Sequence, residues 1–330
     1  MRLTTLDYHT AGEPLRIVTG GLPEIPGETM LAKRRFMHEK LDRYRRFLML
    51  EPRGHADMYG AVLTGPVTSD GDVGVLFLHN EGYSTMCGHG IIALVTAGLE
   101  HGLFEIGDSQ AVRIDTPAGR ITARANRDPG GKVETVSFLN VPSFVLIPDH
   151  PVEIENRSIE CTIAFGGAFY AYVDAEAFGL ELVPEEAGRL IRLGQQIKKT
   201  IGQQHIIHHP AGDEDLDFLY GTIFVRQQEK PNHSRNACVF AAGELDRSPT
   251  GTGVSGRAAI HYALGELELD EELEIDSFIG TRFKVRCVAE AEVGGLPAVI
   301  PEVTGSAHIC GEHCFILDES DPLHEGFLVR

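Results

Sequence analysis

Short apolar runs bounded by Gly, Pro or Asp recur along the chain, at residues 74–78, 120–123, 133–139, 161–173, 220–225 and 283–288. Runs of that length between turn formers predict β-strands. Two stretches, residues 27–50 and 184–201, instead set apolar positions at helical spacing beside charged ones and predict amphipathic surface helices. No low-complexity tract or long linker breaks the pattern. The expected joint lies near residues 149–157, after the Pro-containing stretch VPSFVLIPDHP.

Two further segments depart from the strand pattern and resemble each other. Residues 87–102 read CGHGIIALVTAGLEHG and residues 250–265 read TGTGVSGRAAIHYALG. Both open Xaa-Gly-Xaa-Gly, continue with small or apolar residues and end on a glycine, Gly102 or Gly265. Repetition at about half the chain length argues for two lobes of one design. Little polar surface on either segment predicts a buried central helix that strands would wrap. A glycine-rich entry into a helix presents backbone N–H groups and the positive end of the helix dipole, which is an anion site. Two such entries facing each other could clamp one small carboxylate. A thiol at that position has its pKa lowered toward the reactive thiolate. Cys87 is thus the cysteine with a chemical context, whereas Cys161, Cys238 and Cys287 sit in strand-like runs and read as packing.

Composition narrows the function classes. The 330 residues suit two domains of roughly 100–200 residues, or one large one. Lys and Arg number 29 against 48 Asp and Glu, a formal charge of −19 that speaks against a nucleic-acid partner. The start lacks a signal-peptide pattern and no apolar run approaches a bilayer span, so no membrane partner and a cytoplasmic location are expected. Six cysteines make a poor disulfide framework. Gly251–Gly256 fits G-x-G-x-x-G, with Glu271 twenty residues after Gly251. A polar, Pro-containing stretch precedes it where a hydrophobic strand should stand, which argues against a dinucleotide site. Cys310-Gly311-Glu312-His313-Cys314 and His205-Ile206-Ile207-His208-His209 carry ligand-type side chains but no second ligand pair, so no metal is expected.

Met86-Cys87-Gly88-His89-Gly90 together with Asp246-Arg247-Ser248-Pro249-Thr250-Gly251-Thr252-Gly253 resembles the proline racemase family. So do His9-Thr10-Ala11-Gly12-Glu13-Pro14 and Arg53-Gly54-His55-Ala56-Asp57-Met58-Tyr59-Gly60. The resemblance spans nearly the whole chain. It implies a cofactor-independent, homodimeric enzyme of α+β class with the fold of diaminopimelate epimerase. That fold has two pseudo-symmetric lobes, each a β-barrel-like sheet around a central helix, with the active site in the cleft. One lobe is expected to comprise residues 1–155 with 315–330 and to carry Cys87; residues 156–314 would form the other and carry Thr250.

Racemising members carry Cys at both openings, and here the second is Thr250. That pair is similar to the branch that dehydrates trans-3-hydroxy-L-proline to Δ1-pyrroline-2-carboxylate. Inversion needs a titrating group on each face of the α-carbon, and a threonine hydroxyl does not titrate near neutrality. In trans-3-hydroxy-L-proline the α-hydrogen and the 3-hydroxyl share a face, so one thiol suffices for a syn elimination. The resemblance then implies Cys87 as base. Gly88, His89, Gly251 and Thr252 would bind the carboxylate, Asp246 the ring amine with His89 sharing that task, and Tyr59 and Phe240 would wall the ring. Thr250 would orient or fill space. Asp246 could instead only turn the loop before Pro249, and Phe240 could be ordinary strand core. Proline racemase or 4-hydroxyproline 2-epimerase activity, and a non-catalytic imino-acid binding protein, are the alternative functions.

Overall fold

The computed structural model describes residues 2–106, 111–212, 214–230 and 232–329. The chain opens with β1 (Arg2–Thr10), β2 (Glu13–Gly20), α1 (Met30–Met49), β3 (Tyr59–Thr64), β4 (Val73–His79), β5 (Tyr83–Ser84), α2 (Gly88–His101), β6 (Ala111–Thr116), β7 (Gly119–Arg127) and β8 (Val133–Leu139). It continues through β9 (Phe144–Ile154), β10 (Arg157–Phe165), β11 (Phe169–Asp174), α3 (Ala187–Gln204), β12 (Leu219–Gln227), β13 (His233–Phe240) and β14 (Glu244–Leu245). Then follow α4 (Gly251–Ala263), β15 (Glu272–Ser277), β16 (Arg282–Val293), β17 (Leu296–Gly305) and β18 (Ala307–Ile316). The class is α+β with mixed strand pairing. No helix among the described residues is long and apolar enough to cross a membrane.

Two compact units emerge, Met1–Phe138 with Ser306–Arg330, and Leu139–Gly305. These divisions differ from the expected 155/156 and 314/315. The Pro-containing stretch near residue 150 is a strand: β9 pairs with β10 from Ile154↔Arg157 to Phe144↔Phe165, and Pro151 lies opposite Glu160. Its turn residues, Glu155 and Asn156, both have positive φ (51° and 61°), as a two-residue hairpin with matching twist requires. The return to the first unit comes before β18, because β18 pairs antiparallel with β1 from Thr10↔Ala307 to Arg2↔Ile316, with Cys310 bulged between Ile309 and Gly311. The apolar run 161–173 is likewise two strands, β10 and β11, closed by a turn at Gly166 and Gly167.

In the first unit β1 pairs antiparallel with β2, β2 runs parallel to β3, and β3 pairs antiparallel with β4. β4 runs parallel to β6, which pairs antiparallel with β7. α2 lies against β1, β2, β7 and β18, with Gly88–Gly98 buried throughout, as its apolar composition predicts. α1 starts where the Thr29 hydroxyl accepts the Ala32 N–H. Its apolar face buries Met37, Phe47, Leu48 and Met49 in one core with Leu76 and Leu78 of β4; each such side chain contributes about 1.5–3 kcal/mol.

In the second unit β10 pairs antiparallel with β11, β11 runs parallel to β12, and β12 pairs antiparallel with β13. β13 runs parallel to β15, which pairs antiparallel with β16, and β16 with β17. α4 lies against β9, β10, β11, β16 and β17, while the amphipathic α3 packs on β12 and β13.

Candidate functional site

Cys87 is the N-cap of α2. Its backbone is extended (φ −147°, ψ 109°), and its Sγ takes the place of a capping oxygen by accepting the Gly90 N–H at 3.2 Å. The first intrahelical bond is Ile91 N–H to Cys87 O, so the Gly88 and His89 N–H groups precede the helix's own ladder. His89 Nδ1 lies 3.2 Å from Sγ, and both side chains are buried. A Cβ on Gly90 would come within 2.5 Å of Phe77 Cε1 and 2.9 Å of Sγ, so only glycine lets the helix start this close to the thiol. The Thr10 hydroxyl donates to the His89 carbonyl at 2.8 Å. The Tyr59 ring meets the His89 ring edge-on at 4.8 Å and stacks on His79 at 5.8 Å; its hydroxyl pairs with Ser84 Oγ. An N–H donor, the helix N-terminus and an adjacent imidazole all favour negative charge on this sulfur. Burial has the opposite effect on Cys161 and Cys287, whose thiols are pushed up to about 12.

The second opening is built differently. Thr250 caps α4 at φ 70°, ψ 100°, and its side chain does not bond to the helix. A β-branched residue at positive φ is strained, by roughly 1–3 kcal/mol. A local network holds it there: the Thr250 N–H donates to Ser248 Oγ at 3.0 Å and its hydroxyl to Asp246 Oδ2 at 2.7 Å. Asp246 Oδ1 in turn accepts the Ser248 N–H at 2.8 Å. Asp246 therefore does shape the loop before Pro249, and it presents a buried carboxylate beside Thr250. The α4 ladder begins with Val254 N–H to Thr250 O, so the Gly251 and Thr252 N–H groups precede it. Thr252 Oγ1 pairs with the Tyr170 hydroxyl at 2.8 Å, and the Tyr172 hydroxyl donates to Gly253 O at 2.8 Å. Phe240 ends β13, buried, with its ring 5.5 Å from that of Tyr220, which lies 5.8 Å from Tyr170.

The expected residues thus form one group in each unit. Cys87, Gly88, His89 and Tyr59 make the first. Asp246, Thr250, Gly251 and Thr252 make the second, with Phe240 joined to it through Tyr220 and Tyr170. Sequence reasoning missed Ser84, Ser248 and Tyr170. Ser248 lies within the quoted motif and could have been read as a turn-former holding the Thr250 N–H. Ser84 and Tyr170 reach their partners from strands remote in sequence, and nothing local marks them. In the Cys310–Cys314 segment, both cysteines are exposed on β18. Among the described residues no group of three or more His, Cys, Asp or Glu side chains is placed to hold a metal ion.

Residues 5–328 match the proline racemase family. A trans-3-hydroxy-L-proline dehydratase of Colwellia psychrerythraea is 48% identical, covering 100% of this chain and 93% of that protein. A 3-hydroxyproline 2-epimerase of Burkholderia multivorans is 47% identical over 99% of this chain and 98% of its own. Among solved structures, a hydroxyproline epimerase of Agrobacterium vitis with bound trans-4-hydroxy-L-proline superposes with a TM-score of 0.92 at 32% identity, covering 99% and 95% of the two chains. Because the match takes in both glycine-opened helices and the strands around them, the chain as a whole belongs to the proline racemase family.

Proposed function

We propose that this protein is a trans-3-hydroxy-L-proline dehydratase, a hydro-lyase that releases water and Δ1-pyrroline-2-carboxylate. The observation that carries the reading is the unlike pair of helix starts: a thiol at residue 87 and, at residue 250, a hydroxyl already donating to a carboxylate. In this reading the Cys87 thiolate takes the α-proton, and the Cα–H electron pair forms a Cα–C3 double bond as the C3–O bond breaks. The new thiol protonates the departing hydroxide on the same face, and the resulting enamine tautomerises to the imine. The N–H groups of Gly88, His89, Gly251 and Thr252 hold the carboxylate and the charge that grows on it. Asp246 receives the ring amine, and Thr250, on the opposite face, orients that carboxylate through its 2.7 Å hydrogen bond. Tyr59 and Phe240 wall the ring.

The proposal extends to two lobes of one design, each a barrel-like sheet about its central helix. It is supported by the same order of pairing senses, antiparallel, parallel, antiparallel, parallel, antiparallel, from β1 to β7 and from β10 to β16. A homodimer in the cytosol completes the reading; six cysteines in 330 residues make a poor disulfide framework, as in proteins of a reducing compartment.

The test is incubation with trans-3-hydroxy-L-proline, scoring the imine with a carbonyl reagent and inversion by polarimetry. Imine formation is expected, lowered by about a thousandfold or more in Cys87→Ser; undiminished activity of that variant would sink the mechanism. A second reading, 2-epimerisation of a 3-hydroxyproline, is favoured by the name of the Burkholderia multivorans relative. It requires a proton donor on the Thr250 face, and rapid inversion without imine would select it.

A further inference from the structure

Away from both helix starts, the second unit holds a cavity of about 340 Å³ between β11 and the second half of α4. Arg257, Ile260, His261 and the C-cap Leu264 line it at a helical spacing that shares one face, and three consecutive residues, Tyr172, Val173 and Asp174, line it from the strand. Arg257 is only 7% exposed, yet among the described residues its guanidinium makes a single hydrogen bond, Nε–H to His261 Nε2 at 2.8 Å. Its Nη1 is buried with no acceptor, and no carboxylate forms an ion pair with the guanidinium among those residues. Because His261 Nε2 accepts from Arg257, Nδ1 carries the proton and donates to Glu266 Oε2 at 2.8 Å, which leaves a neutral imidazole beside the cation. Burial lowers the guanidinium to about 10, so it stays charged at neutral pH. Among the described residues Nη2 neither makes a hydrogen bond nor is sealed from solvent, so this arm of the fork is the one that can pair with a ligand carboxylate.

The rim decides which anion. Asp174 and Glu176 line the same cavity, both exposed, and would repel a bare anion while pairing with an ammonium group. Ile260 and Leu264 supply an apolar wall. We infer that this cavity binds a small zwitterionic aliphatic α-amino acid, with its carboxylate on Arg257, its ammonium toward Asp174 and Glu176, and its side chain along Ile260 and Leu264. The site stands apart from the residues assigned to the dehydratase reaction. Tyr172 nevertheless links it to the first turn of α4 through the hydroxyl bond to Gly253 O.

The test is calorimetric titration of the full chain with L-leucine, 4-methylpentanoate and isopentylamine, three probes that share a skeleton and differ in their charged groups. L-Leucine is expected to bind one to one, with the carboxylate-only and amine-only probes about tenfold weaker or worse. Arg257→Gln and, independently, Asp174→Asn are each expected to weaken L-leucine by about tenfold. Asp174 is exposed, so its variant keeps the question answerable if Arg257→Gln does not fold. Absence of saturable L-leucine binding at millimolar concentration, equal binding of 4-methylpentanoate, or binding unchanged by Asp174→Asn would each overturn the inference.

Discussion

Thr250 sits at a backbone conformation that β-branched residues avoid, and what keeps it there is one carboxylate and one serine hydroxyl. The two contributions of its side chain can be separated. Thr250→Ser keeps the hydroxyl bond to Asp246 and removes the branch that strains φ 70°; its stability is expected within about 1 kcal/mol of the parent or above it. Thr250→Val keeps the branch and leaves Asp246 Oδ2 short of a donor in a buried setting. It is expected to lose about 1–3 kcal/mol and, if Asp246 holds the ring amine, about tenfold or more in kcat/KM. Urea denaturation and imine formation measure the two; equal behaviour of both variants would remove the positioning role of this bond. The glycines beside these residues were legible as helix openings, but the positive φ at Thr250 was not. It arises from Asp246 and Ser248 competing successfully for the hydroxyl and N–H that an ordinary N-cap would use locally.

At the scale of elements, the strands and helices were largely visible because burial imposes their period. α1, α2, α3 and α4 lie where helical spacing or an apolar glycine-opened run placed them. The misread stretches are those in which turn chemistry outweighs composition: prolines near residue 150 enter β9, and the run 161–173 folds back on itself at two glycines. Long loops are pinned by side chains that no periodicity reveals. Asp115, at the end of β6, accepts the N–H groups of Val67 and Thr68 at 2.8 and 2.9 Å and the Arg120 guanidinium at 2.8 Å. Burial alone would raise its pKa, but these donors outweigh it and hold the carboxyl below the ordinary range. A depressed native pKa means stabilisation that is present above the unfolded value of about 3.9 and fades as pH falls through the lower native value. Asp115→Asn is therefore expected to cost about 1–3 kcal/mol at neutral pH. It should also flatten the acid limb of stability below about pH 4, read from urea midpoints across pH.

For the whole molecule, the consequential feature is the return of the chain to its first unit. β18 supplies an antiparallel partner to β1 along its full length and lies against α2, the helix that Cys87 caps. A chain ended at Gly305 keeps every residue of the second unit but leaves β1 with an open edge and α2 partly uncovered. Its first unit is expected to lose its cooperative thermal transition and to be digested, while Leu139–Gly305 persists as a protected fragment. Circular dichroism melting and limited proteolysis with mass readout test this; an unaltered melt would show that β18 is dispensable. The formal charge of −19 favours solubility and disfavours polyanionic partners without bearing on the fold.

The sequence by itself determined the family, the two buried helices, the thiol at one opening and the hydroxyl at the other, because these depend on residue identity and on spacings of a few positions. Tertiary structure decided how those residues are held. Asp246 and Ser248 strain Thr250, His89 and Tyr59 pack about the thiol, β18 closes on β1, and Arg257 is buried beside His261. Each of these depends on which distant strands meet and which polar groups find partners, and no short-range pattern in the chain encodes either.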